Sequence, residues 1–281
     1  MSVFYRLTTS AGRLIRRHAW LREAAQRFAE PLFNMLYNAR GLEWTINGVR
    51  CRIDPRYRAV MHPEYDSVIA DYLRSRIRPG QVCVDVGANI GAWVIQFANA
   101  VGPNGRVIAF EPNPTARKAL TRHIELNNLG SIVQVVPAAV GSSNGSVEFF
   151  AAGADGMSRV GEANPLIVDT AIPITVSMVT LDQWCSENRV TPNWLFIDVE
   201  GFEAHAIAGA TELIRSAGLQ LEIILEMHPT LWQASGTSAA QVSEQIKAIG
   251  RCPIPLNGQA DVYAEYGHVI LKPINDSDYT N

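Results

Sequence analysis

No stretch of the 281 residues approaches the roughly 20 consecutive apolar positions that a membrane-spanning helix needs. The N-terminus lacks a signal-peptide core, because Arg13, Arg16, Arg17, Arg22 and Arg27 interrupt every apolar run. A cytoplasmic protein is therefore expected. The four cysteines, Cys51, Cys83, Cys185 and Cys252, form no CxxC pair, which argues against a zinc site or a disulfide framework. No GxGxxG run and no P-loop lysine is found, so neither a dinucleotide nor a nucleoside triphosphate is the expected ligand.

What is present is an ordinary globular composition, with 47% hydrophobic and 18% charged residues and a mean hydropathy of +0.02. The net charge of -3 hides an asymmetry: residues 1 to 60 hold eleven Lys or Arg against four acids, and the remainder holds 13 against 23. Between 13 and 36 the arginines share a helical pattern with Leu14, Leu21, Ala25, Phe28, Leu32 and Leu36. That segment reads either as a peripheral membrane contact or as an extra helical layer. Trp44 to Ile53 alternate around Asn47-Gly48, the pattern of a tight hairpin. These features set an N-terminal extension at 1–62 apart from a main domain at 63–281.

In the main domain apolar strands alternate with helical segments. Strands are expected at 82–86, 106–110, 132–136, 194–197 and 219–225, with helices at 65–77, 90–100, 114–127 and 204–216. Short turns cannot join parallel strands, so this order implies a doubly wound α/β fold with a mostly parallel sheet. About 55 residues between the third and fourth of these strands break the rhythm. They read either as a substrate lid carrying Met157, Ser158 and Arg159 or as a surface hairpin extending the sheet. Further strands are expected at Val262-Tyr263 and at His268 to Leu271, before a frayed tail at 275–281.

Ligands of open parallel sheets sit beyond the carboxyl ends of the strands. Two such ends carry chemistry, Val84-Asp85-Val86-Gly87-Ala88-Asn89-Ile90-Gly91 and Phe110-Glu111-Pro112. Gly87 and Gly91 allow a sharp turn and a ligand against bare backbone, and Glu111, 26 residues beyond Asp85, can accept two ribose hydroxyls. Asp85 would repel a pyrophosphate and suits a cation such as the sulfonium and ammonium groups of S-adenosylmethionine. Asp198 ends the fourth strand, with Glu200 and Glu203 after it, where they could equally cap a helix. Glu226 and His228 follow on the fifth strand. A hydroxyl attacking a methyl carbon must lose its proton, for which His228 is the first candidate base and Asp198 the second. The acids could also gather a cation, but their spacing does not demand one and no metal is expected. The histidines at 18, 62, 123, 205 and 268 show no partner pattern and are expected at the surface or in packing.

Asp85 to Gly91, Phe110 to Pro114, Ala138 to Gly141, Thr180 to Asp182 and Ile197 to Glu203 together resemble the FkbM family of S-adenosylmethionine-dependent methyltransferases. The resemblance runs from about 65 to 228. It implies a class I, Rossmann-like bacterial methyltransferase domain that methylates a hydroxyl of a sugar, glycan, lipid or natural product. It implies Asp85, Gly87, Asn89, Gly91, Glu111, Pro112, Ala139 and Asp198 around the donor, with Ala139 beside the adenine. Ser158, Arg159, Glu200, Glu203 and Glu226 are the candidate acceptor contacts. One position departs: Phe196 stands where the family commonly has lysine. Two competing readings remain at this level, a nicotinamide-linked oxidoreductase and a non-catalytic module acting through 13–36. Nucleic acid is not an expected partner, because the crevice side is acidic and the basic stretch carries no nucleic-acid-binding motif. Oligomeric state is not legible.

Overall fold

The computed structural model describes residues 37, 39–154, 156–164 and 168–274. The basic segment at 13–36 and the tail at 275–281 lie outside the described residues. Strands β1 (Leu42–Ile46) and β2 (Val49–Ile53) form the expected hairpin, with Ile46 opposite Val49. Asn47 and Gly48 turn it at φ 47 and 82, as a two-residue turn with both centres left-handed requires.

The hairpin does not stand apart. Ile46 and Ile53 are fully buried in a cluster with Ile90, Ile95, Ala116 and Ala119, so the boundary expected at 62/63 does not separate two cores. His123, expected at the surface or in packing, is buried and joins the hairpin to the domain: its Nε2 accepts from Asp54 N at 3.0 Å and its Nδ1 donates to Ile90 O at 2.7 Å.

Helix α1 (Ser67–Arg76) leads into β3 (Val82–Val86), α2 (Ala92–Val101), β4 (Arg106–Phe110), α3 (Pro114–Leu126) and β5 (Val133–Val136). After an insertion come α4 (Leu181–Asn188), β10 (Trp194–Ile197), α5 (Glu203–Ala208), α6 (Thr211–Ala217) and β11 (Glu222–Met227). The chain continues through α7 (Ala239–Ala248), β12 (Arg251–Pro255) and β13 (Gly267–Pro273). The seven-stranded sheet has the order β12-β13-β11-β10-β3-β4-β5. Five strands are parallel; β13 is antiparallel to both of its neighbours.

Strand alternation sorts the core into two layers. Val84, Val86, Leu195 and Ile197 pack under α4 to α7, and Cys83, Phe196 and Ile224 pack under α1 to α3. The strand order reverses between β3 and β10, and this switch point positions the site.

Several details differ from the sequence reading. The 204–216 helix is broken in two at Gly209, where a Cβ would lie 2.0 Å from Gly141 O. Val262-Tyr263 is a turn, and β12, which the sequence reading does not include, holds Pro253 and Pro255 at the sheet edge, where a strand tolerates them. The insertion does not extend the central sheet. Its strands β6 (Ala138–Val140), β7 (Gly145–Ala151), β8 (Arg159–Val160) and β9 (Ile172–Val179) make a separate sheet of order β6-β9-β7-β8. Phe196 is neither at a sheet edge nor in the crevice: its ring lies 5.1 Å from that of Trp93 and 5.8 Å from that of Phe97, inside the α1–α3 layer. No helix among the described residues is long and apolar enough to cross a membrane.

Candidate active site

Three strand-end loops meet at the switch point. Gly87 and Ala88 both donate to Phe110 O at 3.0 Å, which ties the β3 loop to the end of β4. Glu111 completes the tie: Oε2 accepts from Asn89 N at 2.6 Å and Oε1 from Asn113 N at 2.7 Å. Each oxygen keeps a further lone pair, since an ionised carboxylate offers about four acceptor sites. Burial pushes this carboxyl up to about 7, against the two backbone donors that favour its charged form. The third loop closes from β10. At Gly87, with φ 90, a Cβ would lie 1.7 Å from Asp198 O, so only glycine lets the β3 and β10 loops approach this closely.

Beyond β10 and β11 lies a compact acidic cluster. Glu203 has no exposed surface. Its Oε1 accepts from Gly201 N at 3.0 Å and from His228 Nδ1 at 2.7 Å, and its Oε2 accepts from Trp232 Nε1 at 2.8 Å. His228 turns Nε2 toward Asp198 Oδ1 at 3.9 Å and Glu200 Oε1 at 3.8 Å. Glu226 accepts from the hydroxyl of Tyr266 and lies 3.5 Å from His268 Nε2.

The charges follow from this packing. Burial alone would lower His228, but the hydrogen bond and charge of Glu203, with Glu200 and Glu226 beside it, raise it to about 9. Burial raises Asp198 well above the carboxylate range, with the charges of Glu226 and Glu200 adding to it. Burial also opposes ionisation of Glu226, yet the charges of His268 and His228 and the hydrogen bond from Tyr266 lower it. Glu200 rises to about 7 through burial and the charge of Glu226, partly offset by His228.

A cavity of about 300 Å³ opens over these loops. Of the residues singled out in the sequence, Gly87, Asn89, Glu111, Pro112, Ala139, Ser158, Arg159, Asp198, Glu200 and Glu226 line it. Asp85, Gly91, Glu203 and His228 do not. Asp85 is 1% exposed on the α1–α3 side of β3, beneath the loop rather than at its rim. Gly91, at φ 91, packs against Leu120, and a Cβ there would meet Leu120 Cδ1 at 2.6 Å. Glu203 is a clamp with both oxygens engaged, not an acceptor contact. His228 is 6% exposed and favours the imidazolium form at neutral pH, which has no lone pair to take a proton, so it does not suit the part of general base.

The insertion supplies one wall of the cavity. Ser158 Oγ accepts from Asn113 Nδ2 at 3.0 Å, which pins this strand pair to the β4 loop. Arg159 is 3% exposed, donates through Nε to Glu162 O at 2.6 Å and leaves Nη1 without a hydrogen bond. Tyr65, Asp66 and Tyr266 also line the cavity and were missed; His268, expected at the surface or in packing, is packed, 2% exposed, with its ring 5.8 Å from that of Phe196. A larger cavity of about 610 Å³, between the hairpin and helices α1 and α2, is lined by no acid, histidine or cysteine. Size alone does not mark the site.

Two measurable consequences arise here. At Gly201, φ is 96 and a Cβ would meet Leu231 Cβ at 2.8 Å and Leu231 O at 3.0 Å. Gly201→Ala is expected to cost roughly 1–3 kcal/mol, read as a lower urea midpoint. Asp85 has its pKa raised by burial and then by Glu111 to about 8, from 3.8. The folded state thus keeps a proton that the unfolded chain releases, and this contribution to stability is lost as pH rises from 3.8 toward 8. Between pH 6 and 7.5 the loss is about 2 kcal/mol, and Asp85→Asn should flatten the dependence when denaturation is repeated at the two pH values.

Residues 85–250, more than half of the chain, match the family model for the methyltransferase FkbM domain. No curated protein matches. Among solved structures, the methyltransferase FkbM from Methylobacillus flagellatus KT is 14% identical, with 74% of this chain and 52% of that chain covered and a TM-score of 0.45. The present chain thus spans about half of that protein's length. A putative rRNA-methylase from Clostridium thermocellum is 13% identical over 74% of this chain and 94% of that one, with a TM-score of 0.48. An S-adenosylmethionine-dependent O-methyltransferase from Thermotoga maritima is 16% identical over 76% and 66%, with a TM-score of 0.43. Identities this low leave the acceptor open, since different sites are grafted on one fold.

Proposed function

Given that the chain belongs to the FkbM methyltransferase family and uses S-adenosylmethionine, we propose that it methylates a hydroxyl oxygen of a small molecule, glycan or lipid. Family membership displaces the nicotinamide and non-catalytic readings. One observation carries the proposal: a carboxylate suited to ribose hydroxyls, Glu111, and a carboxylate suited to taking a proton, Glu200, line the same cavity.

The residues present fit the donor. The cavity offers the carboxyl groups of Asp66, Glu111, Asp198 and Glu226 to a cation and the apolar surface of Ala138, Ala139 and Phe149 to a base. Arg159, its one lining Lys or Arg, keeps Nη1 for an anion such as the donor's carboxylate. When bound, the donor supplies an electrophilic methyl group on a sulfonium. The protein's part is to orient and to move one proton. Asn89 and Asn113 hold Glu111 in a single orientation through their backbone N–H groups. Glu200 accepts no hydrogen bond from the described residues, so its carboxylate is free to receive the acceptor's proton. The strand pair β7–β8 closes one wall and limits water, while proximity of the two reactants supplies much of the rate.

Calorimetric titration with S-adenosylmethionine tests the donor site. Wild type should bind, and Glu111→Ala should weaken binding roughly 30- to 300-fold, the worth of about 2–3.4 kcal/mol in charge-assisted hydrogen bonds. An unchanged affinity would remove Glu111 from the donor site. Incubating cell extracts with methyl-labelled donor, followed by mass spectrometry, identifies the acceptor. A label found on nitrogen or carbon sinks the O-methylation reading.

A further inference from the structure

We propose that Asp198, Glu226 and His228 bind one divalent cation of the Mn²⁺ class beside the donor site. One ligand atom from each of the three lies within 4.8 Å of the others. Such gaps suit an ion with bonds of roughly 2.1–2.3 Å after small side-chain shifts.

The cluster is more than a gathering of acids. His228 gives Nδ1 to Glu203, a carboxylate without exposed surface, and so presents Nε2 to the cluster, where a cation would displace the second ring proton. A carboxylate behind the histidine is the arrangement that orients metal-bound imidazoles. Two further atoms are left without hydrogen bonds: Asp198 Oδ1 is buried, and His268, a 2% exposed side chain, aims Nε2 at Glu226 Oε2 from 3.5 Å. Buried polar atoms are rarely orphaned unless something else partners them. The distances of 3.8 and 3.9 Å from His228 Nε2 to Glu200 and Asp198 are too long for hydrogen bonds. Asp198, Glu200 and Glu203 crowd around His228, and Glu226 joins them, a gathering of carboxyl groups with little solvent that a bound cation would satisfy. One imidazole with two carboxylates suits Mn²⁺ better than a thiol-seeking metal.

A cation here would take the acceptor's hydroxyl oxygen as a further ligand and make its proton more acidic. The proton passes to Glu200, the oxygen lone pair forms the bond to the methyl carbon, and the carbon–sulfur pair stays on sulfur. That use rests on the methyltransferase reading; the binding of the ion does not.

Protein stripped with EDTA and titrated with Mn²⁺, followed by the electron paramagnetic resonance of the free ion, should take up about one equivalent. His228→Ala and Glu226→Gln should each weaken uptake at least tenfold, and Glu203→Gln by about 10- to 100-fold. Circular dichroism checks each variant's fold, and Asp198→Asn replaces any that fails. Full free-ion signal at millimolar wild-type protein, with and without S-adenosylmethionine, overturns the proposal, as does uptake that the folded variants retain. Calorimetry with the donor in EDTA runs alongside. Donor binding without Mn²⁺ uptake defeats the ion site alone, and Mn²⁺ uptake without donor binding defeats the methyltransferase reading alone.

Discussion

Glu200→Gln is expected to lower kcat by roughly 10²- to 10⁴-fold while leaving donor affinity within about threefold, because a positioned proton acceptor supplies about that much rate. Glutamine keeps the size and the acceptor oxygen but has no basic carboxylate. The residue sits where such a group is useful: it lines the cavity, 20% exposed, on the loop that follows β10. Its backbone is left-handed at φ 50, a conformation that costs a non-glycine residue roughly 1 kcal/mol or more and persists only where surrounding contacts impose it. Gly201 against Leu231 and Ser235 Oγ donating to Gly201 O at 2.5 Å impose it here. Single-turnover measurements with saturating donor separate the chemical step from binding. A kcat within about threefold of wild type would transfer the base role elsewhere in the cluster.

Glu203→Ala should be the most destabilising of the substitutions considered, by about 3–5 kcal/mol, as expected when one partner of a buried ion pair is removed. Three donors lose their acceptor at once, Gly201 N, His228 Nδ1 and Trp232 Nε1, and Trp232 is itself only 2% exposed. Glu203→Gln retains an acceptor oxygen for part of this set and is expected to lose about half as much. Urea denaturation in EDTA-containing buffer reads both. A loss under about 1 kcal/mol for the alanine variant would mean that the clamp contributes little and that packing around Trp232 holds the β11 end.

The contrast between Glu200 and Glu203 illustrates what local sequence can and cannot say. Both are acids after a strand end, and both read equally as helix caps or acceptor contacts. Their difference, a free carboxylate against a fully engaged one, is made by Trp232 and His228, which arrive from beyond β11. Similarly, Asp85 and Val86 are adjacent, yet strand alternation sends them to opposite layers, and the buried acid is not among the residues that line the cavity while Val86 is. Tyr266 carried no signal, and His268 only that of a strand start. They reach Glu226 only because β13 inserts antiparallel beside β11.

The alternation of apolar strands with helices determined by itself that the chain is a doubly wound α/β protein, because parallel strands require crossovers and buried faces require cover. The glycines at 87 and 91 and the acids at 111 and 198 marked the loops at which a ligand would sit, because turn chemistry is local. Which of those acids meets solvent, which meets a histidine and which is spent as a brace was decided only by tertiary structure. Those relations join residues far apart in the chain, as from Glu226 to Tyr266 and His268, and strand order and sheet insertion bring them together. Charge in a buried cluster depends on every neighbour at once, and no stretch of sequence states who the neighbours are.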